Sequence, residues 1–346
     1  MVKKDIDVQA YGIRRGFLPQ GNKEHFSMRL FIQIPCFNEE TTLSQTLADL
    51  PTHIDGIDEI EVMVVDDGST DRTVEVAREH GVRHIVSHGT NRGLAAAFSS
   101  GRDYALDHGA DILVNTDADN QYCGADIGKL VVPVLENKAD IVVGCRPIVD
   151  NPEFSRLKKL LQLCGSWALR RISKTTVRDA PSGFRAFSCD ALQRIFLHSR
   201  FSYCMETLIQ AGAAGMRVAS VDVRVNPKTR DSRLFKSVPE YLRKTGGTML
   251  SMFVLYRPGT FFSCLSIPFF TLSFFLGCRY IHLVYILGNS GQAHYVPSLV
   301  LLAISAFAGF LCLLLAVVGT LLAANRRLAE EQAFLLRKKQ SFSNGT

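Results

Sequence analysis

Between residues 30 and 144, short apolar runs alternate with longer amphipathic stretches. Segments 30–34, 62–65, 84–86, 112–114 and 141–143 are brief and rich in Val, Ile and Leu, which predicts strands. Segments 42–50, 71–80, 93–108 and 125–137 carry helical periodicity. This alternation predicts an α/β fold of Rossmann-like type, with a mainly parallel sheet covered on both faces. Ligands of such sheets bind beyond the carboxyl ends of the strands.

The pattern changes after Arg257. Residues 261–287 form a long, mainly apolar stretch broken by Pro268, Gly277 and Arg279, and residues 295–324 carry no charge at all. Each stretch exceeds the roughly 20 residues that a helix needs to cross a bilayer. The link 288–294 is turn-forming, and Lys and Arg gather on the outer flanks at Arg243, Lys244, Arg257, Arg326, Arg327, Arg337, Lys338 and Lys339. That asymmetry predicts a helical hairpin with both ends cytoplasmic. Residues 235–257 mix basic and apolar positions, as an interfacial helix or a linker would. The chain thus divides into an N-terminal extension (1–27), an α/β domain (28–234), a linker (235–257), two spans (258–324) and a basic tail (325–346).

Composition narrows the chemistry. In 346 residues, 39 Lys and Arg against 33 Asp and Glu give a net charge of +6, much of it flanking the spans, so nucleic acid is not an expected partner. Nine scattered cysteines form no C-x-x-C pair, which argues against a zinc site or a disulfide framework and for buried thiols in a reducing compartment. The first thirty residues contain no signal-like apolar core.

The strand ends are acidic. Pro35-Cys36-Phe37-Asn38-Glu39-Glu40 follows the first strand, Asp66-Asp67-Gly68-Ser69-Thr70-Asp71 the second, and Asp117-Ala118-Asp119-Asn120-Gln121 the fourth. Neither a P-loop nor a G-x-G-x-x-G motif is present. Carboxylates bind phosphate only through a cation, and the oxygen ligands Asp117, Asp119 and Gln121 suit Mg²⁺ or Mn²⁺. Asp71 also has the position of a helix cap.

These motifs, with Asn91-Arg92-Gly93, Gly144-Cys145-Arg146, Asp179-Ala180-Pro181-Ser182-Gly183-Phe184-Arg185 and the basic run 227–233, resemble those of glycosyltransferase family 2, especially its dolichol-phosphate mannose synthase-like members. The resemblance covers about residues 28 to 240. It implies a GT-A fold and transfer of a sugar from a UDP- or GDP-sugar to a polyprenyl phosphate. Pro35, Phe37, Glu39, Val65, Asp67 and Ala118 would form the donor pocket, with Asp117, Asp119 and Gln121 holding metal and diphosphate. Lys228, Arg230 and Arg233 would close over the donor phosphates, although Arg230-Asp231-Ser232-Arg233 stands where relatives more often carry Gly and Ser-Lys. Glu206, in the acceptor helix, would orient the sugar.

An acceptor phosphate is already anionic near neutrality, so it needs placement and cations rather than a strong base. Arg146 is the first choice for gripping it and Lys159 a weaker one. Arg185 is read either as a catalytic cation or as a buried partner of Asp179. A processive polysaccharide synthase is disfavoured, because the single Trp167 lies outside any Q-x-x-R-W motif. A non-catalytic membrane scaffold would not need to keep the D-x-D-x-Q oxygens. Small residues Ala303, Ser305, Ala306 and Ala308 would permit helix association between copies.

Overall fold

The computed structural model describes residues 27–147, 170, 173, 175–197, 203–227, 246–247, 250–286 and 296–343. Seven strands form one sheet: β1 (Arg29–Cys36), β2 (Glu59–Asp66), β3 (His84–Ser87), β4 (Ile112–Asn115), β5 (Ile141–Cys145), β6 (Arg185–Ser188) and β7 (Val218–Asp222). Their spatial order is β3-β2-β1-β4-β6-β5-β7. All pairings are parallel except those of β6, which runs antiparallel between β4 and β5. The predicted parallel sheet is therefore present, with one reversed strand inserted.

Alternation along each strand feeds two cores. Phe31, Met63, Val65, Leu113, Ile141, Val143 and Phe187 point to one face, under α3 (Leu94–Asp107). Leu30, Ile32, Ile112, Val114, Val142 and Ala186 point to the other, under α4 (Ile127–Leu135). A period of two with apolar residues on both sides is what a doubly covered sheet requires. Helices α1 (Leu43–Ala48) and α2 (Thr73–Glu79) complete the N-terminal half. After β6 come α5 (Cys189–Arg194) and α6 (Tyr203–Ala213).

The two apolar stretches are helices. α7 (Pro258–Ile281) starts with Pro258 at its first turn and passes into a π-helical turn, His282–Ile286. α8 (Val296–Ser343) is a single helix of 48 residues, about 72 Å long at 1.5 Å per residue. The helices pack antiparallel through Phe270 against Phe310 and a hydrogen bond from Ser273 Oγ to the Leu302 carbonyl. Ser305 is buried in this hairpin. Outward-facing Phe274, Phe275 and Phe307 are about two-thirds exposed, so these are not core helices of a globular fold. Arg279 lies in the last turn of α7, where its side chain favours the helix dipole.

The basic segment from residue 325 continues α8 as far as Ser343, because Ala, Leu, Glu, Gln, Arg and Lys all favour helix once the apolar run ends. One expectation needs correction. Of the cysteines, Cys36, Cys145, Cys204 and Cys312 are buried, but Cys264 and Cys278 face outward from α7.

Candidate active site

The loops after β1 and β2 are tied together. Asn38 N–H donates to Ser69 Oγ (2.9 Å) and Asn38 Oδ1 accepts from Thr70 N–H (2.8 Å), with Asn38 at a φ of 56°. Gly68 has a φ of 78°, and a Cβ there would lie 2.7 Å from the Thr90 carbonyl carbon, so only glycine permits this approach. Asp71 Oδ1 accepts from Thr73 N–H (3.0 Å), which turns the chain into α2 one residue before its N-cap Arg72 rather than capping the helix from the expected position, and Oδ2 accepts from Glu40 N–H (3.1 Å). These bonds hold the Asp71 carboxyl below its ordinary value against the opposing effect of burial.

Within this frame the expected donor residues separate. Phe37 is exposed at the rim, and Pro35 is half-buried nearby in the chain. Glu39 is buried, its carboxylate accepts from Thr42 Oγ1 (2.9 Å), and its backbone N–H donates to Thr73 Oγ1 (2.8 Å). The Val65 side chain lies entirely in the core beneath α3, and its main chain sits between β1 and β3 in the sheet. Ala118 is likewise buried, with its carbonyl accepting from Thr46 Oγ1 (2.9 Å). Asp67 is buried too. Its Oδ1 accepts from Arg92 N–H (2.9 Å) and its Oδ2 from Gly93 N–H (2.8 Å), which pins the start of α3. His88 Nδ1 lies 2.7 Å from Asp67 Oδ1, and its Nε2 lies 2.9 Å from Ser100 Oγ. His88 had no signal in the sequence.

Asp117, Asp119 and Gln121 follow β4 and are half-buried. Gln121 N–H donates to Asp119 Oδ1 (3.2 Å), and Asn120 makes the turn at a φ of 53°. A Cβ at Gly183 would lie 3.0 Å from Asp117 Oδ1 and 3.3 Å from the Tyr203 hydroxyl. The bare glycine thus brings the Asp179–Arg185 loop against the first carboxylate. On the other side, Asn226 N–H donates to the Gln121 carbonyl (2.9 Å) and Asn226 Nδ2 to the Asn120 carbonyl (3.1 Å). Residue 226 is therefore tied to the acidic loop. Lys228, Arg230 and Arg233, like Lys159, lie outside the described residues.

Arg146 stands at the end of β5 and forms a two-pronged pair with buried Asp179, Nε to Oδ2 at 2.7 Å and Nη2 to Oδ1 at 3.1 Å. Burial opposes its charge, but Tyr122, Asp179 and Asp117 together push its pKa upward. Burial raises the Tyr122 phenol in turn. Arg185 differs from its expected catalytic place. It is wholly buried and donates to the carbonyls of Ser182 (2.8 Å), Ala180 (2.6 Å) and Cys204 (2.7 Å) and to Thr207 Oγ1 (2.6 Å). Those bonds join the Gly183 loop to α6, and Asp179 is engaged by Arg146. Glu206 is also fully buried, beneath Tyr256, whose hydroxyl donates to Glu206 Oε1 at 3.3 Å.

The donor set fits a hard divalent cation. Two half-buried carboxylates and an amide stand together, and no group of three His, Cys, Asp or Glu gathers among the described residues. Mg²⁺ is commonly held by one or two carboxylates plus substrate phosphates rather than by a protein cage.

The comparisons agree with this architecture. The pattern of glycosyl transferase family 2 matches residues 31–196. The chain is 34% identical over 205 residues to an uncharacterized protein of Methanocaldococcus jannaschii, covering 56% of this chain and 80% of the relative. It is 29% identical to the UDP-N-acetylglucosamine–dolichyl-phosphate N-acetylglucosaminyltransferase of Methanococcus voltae, covering 56% and 84%. Glucosyl-3-phosphoglycerate synthase of Mycobacterium tuberculosis, solved with Mn²⁺ and UDP, shares the fold at a TM-score of 0.51 and 20% identity, covering 66% and 79%. The protein is a glycosyltransferase. It belongs to glycosyl transferase family 2 and carries two apolar C-terminal helices long enough to cross a membrane.

Proposed function

We propose that the protein transfers a sugar from a nucleotide diphosphate donor to a polyprenyl phosphate in the membrane, with inversion at the anomeric carbon. The observation that carries this is the position of Asp117. It stands at the end of a central strand, within the field of Arg146 on one side and beside the segment leading to Lys228, Arg230 and Arg233 on the other. The relative acting on dolichyl phosphate and the outward apolar faces of α7 and α8 support a lipid acceptor.

In this mechanism Phe37, Pro35 and Glu39 bind the base and ribose at the rim. Asp117, Asp119 and Gln121 hold Mg²⁺ or Mn²⁺, which when bound neutralises charge on the leaving diphosphate. Lys228, Arg230 and Arg233 stabilise the same charge as it grows, so their effect is greater in the transition state than in the ground state. Arg146, oriented by Asp179, directs the acceptor phosphate oxygen at the anomeric carbon. The new C–O bond forms as the bond to the diphosphate breaks, and the nucleotide diphosphate departs. Arg185 acts from behind, fixing the Gly183 loop.

Purified full-length protein in vesicles containing polyprenyl phosphate, screened against UDP- and GDP-sugars, tests the proposal. Glycolipid and free nucleotide diphosphate are expected together, and both are expected to disappear on chelation or in Asp119→Ala. Full turnover in that variant would remove the acidic loop from the mechanism.

A further inference from the structure

The last nineteen residues of α8 run past the apolar span, and one face of them lies on the catalytic domain. The residues concerned are Arg326, Glu330, Phe334 and Arg337, spaced as one side of a helix requires. At the far end, Arg337 Nη1 donates to the carbonyls of Ile195 (3.2 Å) and Gln193 (3.4 Å), the last carbonyls of α5. Its guanidinium also covers the Phe196 ring at 4.3 Å, while Arg194 covers Phe334 at 4.3 Å. A cation at a helix C-terminus satisfies carbonyls that have no partner within the helix.

At the near end, just beyond the apolar span, Arg326 stacks on the Tyr256 ring at 3.9 Å and pairs with Glu330 at 3.4 Å. Tyr256 donates to Glu206 and accepts from Gln210 Nε2 at 2.8 Å, and Gln210 Oε1 accepts from Phe196 N–H at 2.8 Å. The start of α6 is tied in turn to the acidic site. Tyr203 donates to the Gly183 carbonyl (2.8 Å) and accepts from Asn115 Nδ2 (2.7 Å), and Gly183 abuts Asp117. An unbroken set of contacts thus runs from the point where α8 leaves its apolar span to the carboxylate at the end of β4.

We propose that Arg326 and Tyr256 are positioning residues for the transfer reaction. They carry the seating of the second membrane helix into α6 and, through Tyr203, into the Asp179–Arg185 loop that orients Arg146 at the acceptor end of the site. Arg326 Nε and Glu330 Oε1 face each other as an ion pair at 3.4 Å without forming a hydrogen bond, and Arg326 Nη1 has no hydrogen-bond partner among the described residues, all three atoms being shut from solvent. An apolar contact would hold the helices without such unmet groups, so this contact serves geometry more than adhesion. The claim rests on the acceptor reading above only for its kinetic arm.

Two measurements on the full-length protein in vesicles test it. In Arg326→Ala and Tyr256→Phe, kcat for polyprenyl phosphate is expected to fall at least tenfold while the donor KM stays within twofold. Arg326→Lys, which keeps a cation over the ring, should recover most of the rate. Hydrogen exchange of the α6 amides should rise in Arg326→Ala, with β1 and β4 unchanged. Wild-type rates in both variants, a matching rise in donor KM without rescue by lysine, or unchanged α6 exchange would each overturn the proposal. Failure of the acceptor reading is separately visible, as wild-type protein that transfers no sugar to the lipid; the exchange arm then still decides the positioning claim.

Discussion

Asp67 shows how a residue can be legible in type and not in task. Its place at the end of β2 marks it for the donor pocket, yet both of its oxygens are occupied by the Arg92 and Gly93 amides and by His88. Which main-chain groups come to meet a carboxylate depends on the loop after β3, some twenty-five residues away, and no local pattern encodes that. Asp67→Ala leaves two amides and an imidazole without their acceptor, so a loss of roughly 3 kcal/mol is expected in urea unfolding. Asp126 offers a comparable case with a pH signature. Burial opposes its charge, but Arg224 and Lys129 hold its pKa at about 2. A carboxyl depressed in the folded state stabilises the protein above its unfolded value near about 3.9 and loses that contribution as pH falls toward 2. The stability advantage of wild type over Asp126→Asn should therefore be full at pH 6, mostly lost at pH 2 and gone by about pH 1, as thermal unfolding across that range will read.

At the scale of elements, periodicity carried most of the domain. The five predicted strands and four predicted helices all appear, because short apolar runs alternate with longer amphipathic ones and most are bounded by polar, glycine or proline residues. β6 escaped because it is four residues long, buried on both faces, and begins with an arginine that reads as chemistry. That same Arg185 is where motif and fold part. Its charge suggests catalysis, but four hydrogen bonds make it the clasp between the Gly183 loop and α6. The α3–α6 contact depends on Phe98 stacked against Tyr203, with centroids 4.3 Å apart and planes within 7°. Tyr203→Phe keeps the stack and loses the hydroxyl bonds to Gly183 and Asn115, for an expected cost of about 1–2 kcal/mol. Tyr203→Ala also opens a cavity and should cost about 3–5 kcal/mol. Chemical denaturation of the two variants separates polar from packing contributions at the point where α6 reaches the acidic loop.

For the molecule as a whole, hydropathy located the hairpin but could not foresee that α8 continues and returns to the catalytic domain. The apolar run ends at Ala324, where a transfer scale sees only a basic tail. The docking of Arg337 on α5 depends on tertiary distance. The hairpin itself makes a sharper demand on its surroundings. Most of the apolar residues of α7 and α8 face outward rather than into the protein. Leu314 lies near the middle of the second span and is 58% exposed. In a bilayer that side chain meets hydrocarbon, where a lysine at mid-helix costs about 2.5–3.5 kcal/mol. Leu314→Lys should therefore shift protein from the carbonate-resistant membrane fraction to the soluble or aggregated one. Nucleotide diphosphate binding, which involves no residue of the span, should survive in the detergent-solubilised variant. Equal membrane retention of wild type and variant would show that these helices meet protein rather than lipid, and the acceptor would then have to be sought in water.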